Sequence, residues 1–387
     1  MRYDSARLTG FSDTAVKERK AGFDTPFFLL VLLLLTMGVV MVLSASFPRA
    51  YYDPGNITGG NAAYYFVRQL LFALLGTGAM LLASKVPMGF YRRYSFHFLA
   101  FAVVLLMLVP LVGVKVNGSR RWLGVGGLTL QPSELAKLAV ILSFSVLIGK
   151  MRGRMRTFRY GILPFAAILC VIVGLLVLEP HFSASIIIIA IGGVMLFLGG
   201  VRLGWFIGAA AAAGGALAVL LAFFPYASSR ITTWRDPFSS SSDEGYQIVQ
   251  SLYSIGSGGL SGLGLGGSRQ KFFYLPEEHN DFIFAVVCEE LGFIGAALIL
   301  VLFALLILRG YWIALHCRDR YDFLVCAGIS TLLAIQVFLN VAVVTNLVPC
   351  TGISLPFFSY GGTALLIQLG EMGIILSASR TILGNCT

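Results

Sequence analysis

Ten stretches of this chain, near residues 27–46, 65–84, 96–113, 133–149, 160–178, 183–200, 203–224, 282–308, 322–345 and 361–379, each read as a membrane-crossing helix. Such a helix needs roughly 20 mostly apolar residues to cross the hydrocarbon. In lipid every backbone N–H and C=O must be satisfied inside the protein, which leaves a helical bundle as the fold for this pattern. Composition agrees, with 57% of residues hydrophobic, 12% charged and a mean hydropathy of +0.85, far above globular values. The expectation is an all-α polytopic membrane protein of ten transmembrane helices, with a large extracytoplasmic loop, 225–281, between the seventh and eighth. Residues 1–26 and 381–387 read as tails around one membrane domain, 27–380.

An even number of crossings puts both termini on one side, and the cations say which. Lys150, Arg152, Arg154, Arg156 and Arg159 crowd one short connection, and the N-terminal tail adds Arg2, Arg7, Lys17, Arg19 and Lys20. The opposite face carries only Arg49, Arg68, Lys115, Arg120, Arg121, Arg230, Arg235, Arg269 and Lys271. Short cytoplasmic loops hold the positive excess, so both termini are expected in the cytoplasm. The net charge of +10 does not argue for nucleic acid, because the cations flank spans and line no continuous groove. The first apolar run imitates a secretory signal, but it is long for one and nine more follow, so it reads as an uncleaved first helix. The six cysteines show no disulfide framework and no metal-ligand spacing.

Three polar segments punctuated by Gly and Pro, 115–134, 225–281 and 346–362, all fall on the outer face, so an active site here faces outward. A site there has no access to cytoplasmic ATP or nicotinamide cofactors, and its substrate must bring its own activated bond. A lipid-tailed sugar diphosphate meets both conditions. In the first segment, Asn117-Gly118-Ser119-Arg120-Arg121-Trp122 leads to Gln131-Pro132-Ser133-Glu134 and Lys137. Pro132 and Glu134 suit a helix start. Lys137, a turn deeper, either pairs structurally with Glu134 or reaches Asp281 or a substrate phosphate. Arg120 and Arg121 read as interfacial anchors or as a diphosphate clamp. In the second segment Ile248, Leu252 and Ile255 recur at helical spacing and predict a short amphipathic helix in the interface. The glycine run 256–267 after it is expected to bring backbone N–H groups to a phosphate or sugar. The third segment, with Pro349, Pro356, Gly352, Gly361 and Gly362 among apolar residues, predicts backbone that dips into the protein.

The sequence Arg269-Gln270-Lys271-Phe272-Phe273-Tyr274-Leu275-Pro276-Glu277-Glu278-His279-Asn280-Asp281 runs directly into an apolar helix. A carboxylate at the mouth of a membrane helix is costly to keep, which marks Asp281 as the first catalytic candidate. The plainer reading is a helix cap at Asn280 and Asp281. Glu289 and Glu290, about 12 Å deeper along the same helix, and Glu371 in the last span are expected to satisfy buried partners or hold helices in register.

These residues carry a resemblance. From about residue 27 to 380 the chain is similar to the SEDS (shape, elongation, division and sporulation) family, which includes FtsW, SpoVE and RodA. The likeness rests on Asn117 to Trp122, Gln131 to Glu134 with Lys137, Gly245-Tyr246-Gln247 through Gly258-Gly259, Gln270-Lys271 with Leu275-Pro276-Glu277, Asp281-Phe282-Ile283-Phe284, and Leu355-Pro356-Phe357-Phe358-Ser359-Tyr360-Gly361-Gly362. The glycine run and the stretch 269–277 look more like the FtsW and SpoVE branch. Two departures stand out: Glu179-Pro180-His181-Phe182-Ser183 replaces a common Pro-Asp followed by Gly-Thr, and Asn280 replaces a common threonine.

The resemblance implies a peptidoglycan glycosyltransferase acting on lipid II at the outer face of the bacterial cytoplasmic membrane. Its implied partners are a class B penicillin-binding transpeptidase and other divisome or elongation membrane proteins, with membrane lipid around it and no nucleic acid. The family's catalytic aspartate falls on Asp281. The candidate site is therefore Asp281 and Lys137 as catalytic groups, with Arg120, Arg121, Glu134, Arg230, Gln270, Lys271, Glu277, His279 and Ser359 toward substrate. Polymerising a sugar diphosphate needs a base for the acceptor hydroxyl and cations for the leaving diphosphate, so one carboxylate is enough. Asp281 is assigned the base, Lys137 its position and ionisation, and Arg121 and Lys271 the diphosphate charge. No tightly bound cofactor is expected, and a divalent ion is left open. The rival readings are a lipid II flippase and a division scaffold without catalysis.

Overall fold

The computed structural model describes residues 22–52, 58–116, 119–125, 128–223, 232–239 and 243–383. The long apolar stretches form helices: α1 (Thr25–Tyr52), α2 (Tyr64–Ala83), α3 (Met88–Val112), α4 (Pro132–Lys150), a short α5 (Phe158–Gly161) leading into α6 (Leu163–Leu178), α7 (Phe182–Gly199), α8 (Leu203–Phe223), α9 (Asp243–Gly258), α10 (Ile283–His316), α11 (Arg320–Val344) and α12 (Gly362–Leu383). Among the described residues nine helices are long and apolar enough to cross a membrane, and α8 coincides with the seventh expected stretch. Helices α4, α11 and α12 are the most enclosed, with nearly every residue of α4 from Pro132 to Val146 buried. Lys137 thus sits on a helix surrounded by protein rather than lipid.

The first outer segment is more regular than its Gly/Pro punctuation suggested. It folds into a small antiparallel sheet of β1 (Val114–Val116), β2 (Ser119–Val125) and β3 (Leu128–Leu130), in the order β1-β2-β3. Lys115 pairs with Arg120, and Leu123 with Leu130. Successive strand residues face opposite ways, so the two adjacent arginines of β2 part company.

Helix α10 runs for 34 residues, but Gly292 interrupts it with φ 66° and ψ −172°. The break strands backbone groups, and the glycine run collects them. Leu263 and Gly264 donate to the carbonyls of Glu289 and Glu290, while Phe293 and Ile294 donate to those of Gly259 and Leu260. Gly262 and Gly292 touch so closely that a Cβ on either would strike the other strand's backbone. This corrects the expectation for that run: the N–H groups of Leu263 and Gly264 serve the broken helix, not a phosphate or sugar. Glycine is required because the two backbones approach within the volume a side chain would fill.

Two buried ionic clusters hold the same region. Glu289 accepts from Ser254 Oγ (3.3 Å), Ser268 Oγ (2.5 Å) and the Arg269 N–H (2.9 Å). Glu290 pairs with Lys271 Nζ at 2.8 Å and accepts from Ser44 Oγ of α1 at 2.7 Å. Both glutamates therefore register helices and loop, as the sequence suggested. The amphipathic α9 does more than skim the interface, because Ser251 Oγ donates to the Val344 carbonyl of α11 and Ser254 reaches Glu289.

The third outer segment dips inward as expected. Leu355, Phe357 and Phe358 are almost fully buried. Side chains satisfy the irregular backbone there, as burial demands: Asn340 Nδ2 donates to Ile353 O (2.6 Å), Gln69 Nε2 to Ser359 O (3.2 Å), and Phe357 N to Gln368 Oε1 (3.3 Å). At the opposite end of the bundle Arg309 grips Asp24 through two hydrogen bonds of 3.1 and 2.8 Å, tying the start of α1 to α10.

Candidate active site

The outer segments meet over a cavity of about 660 Å³. Its walls are Arg68 and Phe72 of α2, Arg121 and Trp122 of β2, Gln131, Glu134 and Lys137 at the head of α4, and His181, Ser183 and Ala184 where α7 begins. Glu277, Asn280 and Asp281 close one side, and residues 352–355 and 359–365 close another, with Gln336 and Gln368 reaching in from α11 and α12. Segments far apart in sequence converge because the bundle brings the heads of α4, α7, α10 and α12 to one end.

Asp281 lies on this cavity and is not a helix cap. Helix α10 starts at Ile283 after Phe282, and no side chain caps it. The loop before it is fixed from its backbone, with Asn340 Nδ2 donating to Asp281 O (2.8 Å) and Ser359 Oγ donating to Asn280 O (2.8 Å). Gly352, at φ +63°, comes so near that a Cβ there would sit 3.1 Å from the Asp281 carboxylate oxygen. Burial raises the Asp281 carboxyl to about 6, Glu277 adds to the rise, and His279 and Arg121 oppose it. A carboxyl of this kind is ionised at neutral pH yet more basic than a free aspartate, which suits a general base.

Lys137 lines the cavity but belongs to an ion pair with Glu134, Nζ to Oε2 2.7 Å. The charges acting on Asp281 come from Glu277, His279 and Arg121, in that order, and the expected control by Lys137 is not among them. Arg121 Nη2 donates to Pro180 O at 2.5 Å, which anchors the guanidinium at the cavity wall. Its neighbour Arg120 is exposed, donates to Pro110 O (3.2 Å) and lies off the cavity, as an anchor would.

Among the remaining candidates, Glu277 lines the cavity and accepts from Asn280 Nδ2 at 2.6 Å. Ser359 lines it too, but its hydroxyl is engaged by Asn280 O and the Leu355 N–H, so it positions the Asp281 loop. His279 sits behind the wall, its ring 4.9 Å from that of Tyr65 and 5.8 Å from that of Tyr360, with Nδ1 3.5 Å from Glu278. Gln270 is not on the cavity. Lys271 is corrected outright: it is 2% exposed and held by Glu290 and Ser44, away from the cavity, because a buried ammonium takes the nearest buried carboxylate. Arg230 lies outside the described residues.

Glu179 and His181, which stand out in the sequence only as a departure from the family pattern, carry no expected role. Both are buried beside Arg121, and a charged residue and a histidine flanking a proline between two apolar stretches were the available signal. Burial lifts Glu179 to about 8 and, with Arg121 and Lys137, drives His181 down to about 3. Among the described residues no three His, Cys, Asp or Glu gather closely enough to hold a metal ion.

Comparison with known proteins agrees with this architecture. The cell cycle protein family of FtsW, RodA and SpoVE matches residues 24–382. The chain is 40% identical over 364 residues to stage V sporulation protein E of Bacillus subtilis, covering 94% of this chain and 98% of that protein. It is 39% identical over 363 residues to the probable peptidoglycan glycosyltransferase FtsW of Trichlorobacter lovleyi, covering 93% and 94%. Among solved structures, a chain of a peptidoglycan synthase complex that coordinates polymerization and crosslinking superposes with a TM-score of 0.76 at 28% identity, covering 93% of this chain and 98% of that one. The rod shape determining protein RodA of Thermus thermophilus superposes with a TM-score of 0.66 at 28% identity, covering 93% and 97%.

Proposed function

The chain belongs to the cell cycle protein family of FtsW, RodA and SpoVE, and from that premise we propose that it is a peptidoglycan glycosyltransferase that polymerises lipid II at the outer face of the bacterial cytoplasmic membrane. The observation that carries the reading is the cavity that unites Asp281, Arg121 and the Glu134–Lys137 pair. Helix α8 is then a tenth crossing, which returns both termini to the cytoplasm.

In this reading the 4-hydroxyl of the acceptor sugar attacks the anomeric carbon of the donor, and the carbon–oxygen bond to the lipid diphosphate breaks. Asp281 takes the hydroxyl proton, and the departing diphosphate carries away the bonding pair. Arg121 and Lys137 face the charge that develops on it. One displacement inverts the anomeric centre. Arg121 links the two halves of the reaction, since it acts on both Asp281 and the space beside it. The Asn340 and Ser359 hydrogen bonds hold the base in register, the kind of positioning that a sugar hydroxyl attack requires.

The partner in this reading is a class B penicillin-binding transpeptidase. Support comes from the synthase complex whose chain superposes on this one. The purified protein with that partner is expected to convert labelled lipid II into a ladder of glycan chains on a gel. Proteoliposomes that move lipid II across the bilayer while forming no polymer would instead establish a flippase.

A further inference from the structure

The cavity has a wall that the proton transfer does not use. Its charged lining is balanced, with Arg68, Arg121 and Lys137 against Glu134, Glu277 and Asp281. Lys137 is already neutralised by Glu134 at 2.7 Å. A diphosphate entering such a space needs donors that carry no compensating acid. Helix α7 offers them at its N-terminus, where the first N–H groups have no partner within the helix and the dipole favours an anion. Ser183 and Ala184 of that first turn line the cavity.

A second observation points the same way. His181, the residue before α7, lines the cavity, is 6% exposed and makes no capping bond to its own helix. Its Nε2 lies 3.4 Å from Gln131 Nε2, an amide nitrogen that can only donate. The histidine nitrogen there is the acceptor, and the ring proton sits on Nδ1. That Nδ1 is buried and has no partner among the described residues. A buried donor without an acceptor is costly and persists where something else satisfies it. Arg121 Nε, on the same wall, is also buried without a partner among the described residues.

We propose that His181 Nδ1–H and the first turn of α7 form an uncharged half of a diphosphate subsite, receiving phosphate oxygens of a prenyl diphosphate whose charge Arg121 offsets. The assignment rests on the glycosyltransferase reading for its ligand, but not on any catalytic step. Burial, and after it the flanking cations Arg121 and Lys137, keep His181 neutral, so it donates without adding charge. The lipid diphosphate is then gripped from the α7 side while the sugar faces Asp281.

The test is calorimetric titration of the purified full chain in detergent with farnesyl diphosphate. His181→Phe keeps the ring shape and removes both nitrogens, and it is expected to weaken farnesyl diphosphate at least about tenfold, the size of a lost hydrogen bond to an anion. His181→Gln keeps a donor and is expected to stay within about threefold of the parent. Unchanged affinity in His181→Phe, or equal losses in both variants, overturns the proposal. Should His181→Phe fail to fold, histidine-selective NMR of the parent decides: the Nδ1 resonance of His181 shifts on adding farnesyl diphosphate but not farnesol, and an unmoved resonance overturns the subsite. Polymerisation of lipid II is assayed separately, so a parent that polymerises but binds diphosphate independently of His181 loses the subsite alone. A parent that makes no polymer loses the enzymatic reading.

Discussion

Asp281→Asn, purified with its fold intact and with its transpeptidase partner present, is expected to polymerise lipid II at no more than about a hundredth of the parental rate. General-base catalysis contributes about 10²–10⁴ in rate, and the asparagine amide has no basic oxygen for the proton. The substitution leaves the backbone alone, since the bond from Asn340 is made to the Asp281 carbonyl. It removes one of two carboxylates that favour charge on Arg121, and Glu179 remains, so substrate affinity should change far less than turnover. A fall in KM-dependent binding with turnover preserved would mean that Asp281 organises the cavity without acting as the base. Parental turnover would remove it from the mechanism altogether.

The second large effect is on stability, and it separates a buried structural pair from a substrate contact. Lys271→Met strands the Glu290 carboxylate, which is fully enclosed and otherwise held by Ser44. Breaking one side of a buried pair costs about 3–5 kcal/mol, so the variant is expected to lose yield and thermal stability in detergent. Replacing both partners, Lys271→Met with Glu290→Leu, removes the stranded charge and is expected to recover most of that loss, along with the activity that depends on a folded enzyme. If Lys271 held diphosphate instead, the double variant would remain inactive although stable. Thermal unfolding and glycan synthesis measured on the same preparations distinguish the two.

Lys271 also shows where sequence reasoning stops. Its neighbours Gln270 and Glu277 gave it the look of a site residue, but its true partner is Glu290, deeper along α10, a pairing that no local spacing announces. The break at Gly292 was equally hidden, because the apolar run 282–308 is continuous and the break is stabilised by hydrogen bonds from a distant loop. What could be read were features set by local physics. Apolar length gave the helices, and buried Pro and Gly gave the dipping segment 346–362. The cost of a carboxylate at a helix mouth gave Asp281. The sheet was also within reach: Val114-Lys115-Val116 followed by Asn117-Gly118 has the alternation and turn of a hairpin. A hairpin there puts Arg120 and Arg121 on opposite faces and separates the anchor from the cavity residue. Glu179 and His181 needed tertiary structure, since their importance comes from burial against Arg121 rather than from their spacing.

The pH dependence of kcat/KM for glycan synthesis by the parental enzyme tests the assignment of the base most directly. Asp281 is held at about 6 by burial and by Glu277, against the pull of His279 and Arg121. Its basic form exists above that value and is lost below it, so the rate should be near its plateau at pH 7 and fall about tenfold per unit of acid below pH 6, while the protein remains folded. A profile that stays level from pH 7.5 down to 5, with the fold intact throughout, would contradict a proton-accepting Asp281 at the centre of this cavity.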